Sequence, residues 1–345
     1  GCIIGCAIDL DLIAVVSARE DGVIELRSEG FEPDIVRVGD GTAYPRFSSA
    51  SLISGIAEQI AERGYTVGGF DAYTVSSVYK GSGLSSSAAF EDAVGLIIND
   101  MFCDGALSPL ELAIISQRAE RDYFGKACGL MDQAVCAVGG LVSLDFADES
   151  DPKVTQLCPN LDGLGLCMCI TNTGGSHADL GDEYSAIPAE MRSVAEYFGQ
   201  RVLRGLTAEQ IISELPALRA EVGDRAVLRA LHFVRENERV AQVCRALAES
   251  DTDAFLGAIA ESGRSSAELL QNVTVPGSSR EQGVTLALAL SGELLRGVRS
   301  AYRVHGGGFA GTVQAFMPPE AVESYCRGMD AVFGEGACRL TSVRG

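Results

Sequence analysis

The sequence of 345 residues contains no tryptophan and only three histidines, His177, His232 and His305, which stand far apart in the chain. Basic charge is scarce as well. Twenty-seven Lys and Arg face 47 Asp and Glu, a net charge of −20, which argues against general affinity for nucleic acid or an anionic membrane. No apolar run approaches the ~20 residues that cross a bilayer. There is no signal-peptide layout, internal repeat or low-complexity tract, and the chain reads as cytoplasmic. Two familiar nucleotide loops are also missing. A P-loop needs Gly-Lys-Ser/Thr after its spacer, yet Lys80 precedes the glycines; a dinucleotide fingerprint needs a third glycine where Ser86 stands.

What is present is an ordinary globular composition, 47% hydrophobic and 21% charged, long enough for two domains with separate cores. Eleven cysteines, an odd number scattered over both halves, suit reduced thiols in a cytosol. Cys167 and Cys169 lie in Leu164-Gly165-Leu166-Cys167-Met168-Cys169-Ile170, which reads as a buried strand. Zinc would need further ligands at suitable spacing, so free core cysteines are expected. The chain opens on Gly1 inside an apparent strand, and residues upstream of it are expected in the native protein.

Residues 1–38 alternate apolar runs with turns and read as strands. A helix is predicted over Ser51–Arg63, with Leu52, Ile53, Ile56 and Ile60 on one face and Gly64 as its C′ residue. A strand around Phe70–Val78 runs into a glycine loop, and the helix beyond carries Phe90, Val94, Leu96, Ile97 and Ile98. Ser108-Pro109-Leu110-Glu111 is a capping box, with Leu107 and Leu112 as its hydrophobic staple, and opens a helix running to about Phe124. A short helix follows from near Asp132 to Gly139-Gly140. Strands are expected at Leu141–Phe146 and Leu164–Asn172, then helices from Tyr184 to about Glu249, with Gly223-Asp224 opening the longest. A glycine-rich hairpin and a strand–helix–strand tail close the chain. Strands and helices mix without strict βαβ alternation, which predicts an α+β fold of two lobes, residues 1–155 and 156–345.

Four segments could carry chemistry. In Gly81-Ser82-Gly83-Leu84-Ser85-Ser86-Ser87-Ala88 the glycines let the backbone bend around an anion before a helix starts. The orphan N–H groups there suit phosphate, although a glycine turn with a serine N-cap has the same composition. Asp132, in Cys128-Gly129-Leu130-Met131-Asp132-Gln133, is either a plain N-cap or a desolvated carboxylate serving as a general base. Glu120, twelve residues earlier, is by itself one more solvated charge. A nucleotide-bound Mg²⁺, however, needs only one or two protein oxygens, so a loop serine and one carboxylate suffice. Gly306-Gly307-Gly308-Phe309-Ala310-Gly311 is either a tight hairpin or a wall that closes on phosphates and sugar. The polar stretch from Asn172 to Tyr184, which includes His177, reads as a solvated loop.

Taken together, these segments resemble the GHMP kinases and, within them, the galactokinase family, in one colinear order from Gly1 to about Pro319. Gly81–Ala88 looks like the family's phosphate-binding Gly-x-Gly-Leu-Ser-Ser-Ser-Ala. Cys128–Gln133 is similar to the segment bearing the catalytic aspartate, and Gly306–Gly311 looks like the third motif. The resemblance implies two lobes with the active site between them, and ATP-dependent phosphorylation of a sugar, galactose first, at its C1 hydroxyl. It implies Asp132 as the base, and Ser87 and Glu120 as holders of Mg²⁺. Phosphates would be cradled at Gly81, Ser82, Gly83, Leu84, Ser85, Ser86 and Ser87. Gly129, Asp132 and Tyr184 would meet the sugar, and Gly306, Gly307 and Gly308 would form the third motif.

The sequence departs from the family in several places. The first galactokinase motif, which supplies an arginine beside the aspartate and most acidic sugar ligands, is absent, so the chain as it stands should bind sugar poorly and turn over slowly. Tyr79 replaces the usual proline before the loop, and Ser176 replaces a common arginine. Ser49 falls near the position of an adenine-pocket tryptophan, so base stacking must differ. Kinases for N-acetylgalactosamine, arabinose or a uronic acid, and a non-catalytic galactose/ATP sensor, are the alternatives the resemblance leaves open.

Overall fold

Helices lay their apolar faces on a four-stranded sheet in each unit of this chain, and a further three-stranded sheet carries β1. The computed structural model describes residues 1–78, 84–126, 128–148, 152–157, 161–175 and 180–344. The chain divides into two units, one made of residues 5–78 and 84–140 with Arg344, the other of Gly1–Ile4 with the described part of residues 141–343.

Strand β1 (Cys2–Cys6) opens the chain, followed by β2 (Leu12–Arg19), β3 (Val23–Ser28) and β4 (Asp34–Arg37). Then come α1 (Ser49–Ala61), β5 (Gly69–Ser76), α2 (Ser86–Phe102), α3 (Pro109–Arg118), a π-helical turn (Ala119–Phe124) and α4 (Met131–Val138). The N-terminal sheet has the order β2-β5-β3-β4, with β3 and β5 parallel and the other pairs antiparallel. Its inner face presents Ile24, Leu26, Phe70 and Ala72, which pack with Ile53, Ile56 and Ile60 of α1 and Val94 and Ile98 of α2. The predicted face of the first helix is thus the buried one, whereas Leu96 of α2 faces solvent.

Helix α3 starts where its sequence dictates. The Ser108 N–H donates to Glu111 Oε2 at 2.8 Å while the Glu111 N–H donates to the Ser108 hydroxyl at 3.4 Å. Leu107 and Leu112 are both buried in the same core. The α-helix ends at Arg118, and its last predicted turn widens into the π-helical turn.

The second unit contains β6 (Leu141–Asp145), β7 (Lys153–Gln156), β8 (Cys167–Asn172), α5 (Gly181–Tyr197), α6 (Ala208–Ser213), α7 (Leu215–Glu221) and α8 (Asp224–Glu249). It continues through α9 (Thr252–Ser265), α10 (Gly283–Leu294), β9 (Ala301–Val304), β10 (Thr312–Met317), α11 (Pro319–Phe333) and β11 (Cys338–Thr341). One sheet has the order β1-β6-β7 and the other the antiparallel order β11-β8-β10-β9. Val313, Ala315 and Met317 of β10 share a core with Tyr325 and Met329 of α11 and Ala287 of α10. Among the described residues no helix is long and apolar enough to cross a membrane.

Helices α8 and α9 are joined by a buried polar contact, His232 Nδ1 to the Ser265 hydroxyl at 2.9 Å. Burial lowers the His232 pKa from 6.5 to about 4, against the pull of Glu236. The folded state therefore keeps this ring neutral, while the unfolded chain takes up a proton below pH 6.5. Stability is present above that pH and is lost as pH falls toward 4, by up to about 3 kcal/mol. Urea midpoints measured from pH 7 to 4 should fall more steeply for the parent protein than for His232→Gln. Equal slopes would remove this histidine from the acid response.

Candidate active site

Helix α2 begins without the cap its serines could have supplied. Ser85 occupies the N-cap position in a left-handed conformation (φ 59°, ψ 38°), and its side chain makes no capping hydrogen bond. A non-glycine residue there costs about 1–2 kcal/mol. The first intrahelical bond runs from the Ala89 N–H to the Ser85 carbonyl at 3.0 Å. The N–H groups of Ser86, Ser87 and Ala88 thus precede the hydrogen-bonded ladder and carry the positive end of the helix dipole. Such a start can bind an anion. Leu84, Ser85, Ser86 and Ser87 are half-buried. Gly81, Ser82 and Gly83 lie outside the described residues, as do Tyr79, Ser176 and His177.

Beneath this start lie two carboxylates that share one amide. Glu91 and Glu120 are both buried, and Gln133 Nε2 donates to Glu91 Oε2 at 3.0 Å and to Glu120 Oε2 at 2.9 Å. Lys126 Nζ closes on the other Glu120 oxygen at 2.7 Å. The sequence treats Glu120 as an ordinary helical charge; the π-helical turn instead carries it inward, and Gly125 (φ 97°) ends that turn. The N–H groups of Gly125 and Lys126 both donate to the Glu120 carbonyl, at 2.9 and 3.1 Å. Burial, and then the negative charge of Glu120, push the Glu91 carboxyl up to about 8. Glu91 Oε1 is buried and has no hydrogen-bond partner among the described residues. Ser87 stands one helical turn before Glu91, on the same face of α2.

Asp132 is the second residue of α4, in its first turn; the N-cap is Leu130, which makes no side-chain capping bond. The plain N-cap reading of Asp132 is therefore not what the chain adopts. Its carboxylate is half-buried and takes no hydrogen bond or ion pair from another described residue. Gly129, three residues before it, is exposed, and a Cβ there would meet nothing. Because Gln133 is fixed by two carboxylates, the adjacent Asp132 rides on an anchored helical turn.

In the other unit, Gly306, Gly307 and Gly308 form a fixed turn against a side chain that sequence reading missed, Asn272. Gly308 has φ 78°, and a Cβ on it would stand 2.1 Å from the Asn272 carbonyl oxygen, so only glycine fits. Asn272 Nδ2 donates to the Gly307 carbonyl at 3.0 Å. The Tyr184 hydroxyl donates to the Gly308 carbonyl at 2.7 Å, and its ring meets Phe309 edge-on at 5.4 Å. Tyr184 thus braces the third motif. Burial raises its phenol to about 12 and keeps it a donor. A buried asparagine can be noticed in a sequence only as a polar residue amid apolar ones, and Gln271-Asn272-Val273 offers little more than that.

Comparison with known proteins agrees with this architecture. Residues 51–140 match the GHMP kinases N terminal domain. The galactokinase of Streptomyces coelicolor is 30% identical over 350 residues, covering 99% of this chain and 86% of that protein. The crystal structure of Lactococcus lactis galactokinase complexed with galactose superposes with a TM-score of 0.83 at 22% identity, covering 99% of this chain and 88% of the other. The L. major mevalonate kinase in complex with R-mevalonate gives 0.63 at 12% identity, over 99% and 89%. The shared fold defines the class, a two-lobed GHMP kinase architecture. The chain belongs to the galactokinase family.

The bridging amide sets a measurable energy. Gln133→Leu should lower unfolding stability by about 1–3 kcal/mol, because both carboxylates lose their shared donor. Adding Glu91→Gln should return part of that loss, since a neutral amide then faces Glu120. Strictly additive denaturant midpoints for the two changes would mean that the bridge is not a coupled unit.

Proposed function

We propose that the protein transfers the γ-phosphoryl group of ATP to the anomeric C1 hydroxyl of a monosaccharide, galactose being the substrate. The observation that carries this reading is the likeness to a galactokinase over 99% of the chain. It is supported by an aspartate at the expected position that neither caps its helix nor pairs with a described residue.

In the reaction the sugar oxygen attacks the γ-phosphorus, ADP leaves, and the hydroxyl proton passes to Asp132. Phosphoryl transfer depends chiefly on position and charge neutralisation. The N–H groups of Ser86 and Ser87, with Leu84, Ser85 and the loop residues Gly81, Ser82 and Gly83, are assigned to the phosphates. Gly129 and Tyr184 are assigned to sugar contacts and Gly306–Gly308 to the third motif, a wall for phosphates and sugar. Lys126 and Gln133 hold Glu120 in one orientation.

The residues fit a magnesium ion. Ser87 and Glu120 offer only oxygen, one hydroxyl and one carboxylate, and Glu91 Oε1, on the carboxyl that shares Gln133 with Glu120, lacks a partner among the described residues. Ser87 and Glu120 would hold Mg²⁺, which when bound neutralises charge on the phosphates being rearranged.

Asp132→Ala should cut galactose-dependent ADP release by about 100- to 10,000-fold while leaving ATP affinity within about twofold. Retained turnover would remove Asp132 as the base. Ser87→Ala should weaken Mg·ATP binding roughly tenfold at constant galactose affinity, read by calorimetry. An unchanged affinity takes Ser87 out of the metal site.

A further inference from the structure

Three cysteines far apart in the chain meet in the second unit, in the core that α10 and α11 share with β10. Cys169 lies in the middle of β8, Cys326 in α11, and Cys338 at the start of β11. All three sulfur atoms lie within 4.8 Å of one another. Cys326 and Cys338 are 3.3 Å apart at sulfur, Cys169 and Cys326 3.9 Å. Read from spacing, Cys169 was expected to be an isolated core thiol; the fold supplies the two partners that the spacing lacks.

We propose that Cys169, Cys326 and Cys338 form a binding site for a soft, thiophilic cation of the zinc group, clipping α11 to β8 and β11. Sulfurs bound to zinc at about 2.3 Å in tetrahedral geometry stand about 3.8 Å from each other. The two shorter sulfur separations bracket that value and the third is no more than 4.8 Å, so ligation needs side-chain adjustments of about an ångström or less. Isolated buried cysteines behave as small hydrophobes; three converging sulfurs make a ligand set.

The surroundings suit this use. Cys169 and Cys338 are buried, whereas Cys326 is half-buried and gives the ion a way in. The Asp330 carboxylate fixes the approach to β11 by accepting from the N–H groups of Cys338 at 2.8 Å and Gly336 at 3.2 Å. Thr171 pairs with Cys338 in the β8–β11 register, and its buried hydroxyl stands beside the Cys338 thiol and the Tyr325 phenol. That hydroxyl can donate to a metal-bound sulfur, and a water on the Cys326 side can complete four-coordination. Each thiol that binds releases one proton to solvent, so affinity rises with pH. Thiolate ligands also reject Mg²⁺, so the ion used in phosphoryl transfer does not compete here.

The test uses the purified protein, reduced and treated with a chelator, with Zn²⁺ or Cd²⁺ alone as the probe. One equivalent should bind, with a thiolate-to-cadmium charge-transfer band in the ultraviolet and three thiols protected from a disulfide reagent. Saturating Zn²⁺ should raise the melting temperature by about 5 °C or more. Cys326→Ser, at the half-exposed position, should abolish the band, and Cys244→Ser should leave it intact. Circular dichroism checks that each variant folds; the melting shift of the unaltered protein stands without any variant. Absence of a stoichiometric site, or a band equal in parent and Cys326→Ser, overturns the proposal. So does a Cys326–Cys338 disulfide that forms with hydrogen peroxide while no metal binds, which would make the pair a redox element instead.

Discussion

A single amide standing between two buried carboxylates is the constraint on which the N-terminal unit's chemistry rests. Gln133 donates to Glu91 on α2 and to Glu120 on the π-helical turn, and it is itself part of the first turn of α4. Three elements are thereby tied at one point. Each of them carries a residue assigned to the reaction: Ser87 on α2, Glu120 on the turn and Asp132 on α4. Two carboxyl groups this close and this dry resist ionisation, and the upward shift of Glu91 registers its burial first and the charge of Glu120 second. Structural networks of buried charge are costly unless every member is satisfied. Glu91 Oε1 and Gln133 Oε1 are the members of this network left without a hydrogen-bond partner among the described residues.

The second unit meets a comparable demand with backbone instead of charge. Its glycine segment runs so close to Asn272 that a methyl group at residue 308 has no room. Asn272 and Tyr184 then take the carbonyls of Gly307 and Gly308. The carbonyls are held inward, so the conformation of the turn is fixed before any ligand arrives. Glycine freedom, which in a hairpin would be an entropic cost, is here cancelled by two side chains.

Much of this was legible in the sequence, and the boundary between what was and was not has a physical basis. The start of α3 rests on residues within one turn, Ser108 and Glu111, and local chemistry of that kind can be read directly. The buried face of α1 follows from helical period. The motifs around Ser85–Ser87, Asp132 and Gly306–Gly308 could be read as patterns. The inward turn of Glu120 could not, because it depends on a widened helical turn that no local signal marks. Glu91, Gln133 and Asn272 are unremarkable by type and acquire their roles only from partners 13 to 42 residues away. The cysteine trio is the extreme case, with 157 residues between two of its members. Of the two readings of Asp132, plain N-cap and general base, the helix register bears only on the first: the helix starts at Met131, which leaves Asp132 inside the first turn and not at the cap.

The net charge of −20 sharpens the question of how such a protein holds a triphosphate. Lys126 is already committed to Glu120, and a cation so engaged has little left for a ligand. The positive potential must then come from sources that composition does not count. One is the start of α2, where three N–H groups precede the helical ladder and the left-handed Ser85 makes no side-chain capping bond. A capping serine would have been cheaper by the cost of that conformation, and it would have closed the donors to an anion. The strain at Ser85 and the absence of its cap are thus one feature seen twice. Backbone dipoles, unlike lysines, cannot swing to a neighbouring carboxylate, so in an acidic chain they are the donors that remain available to phosphate.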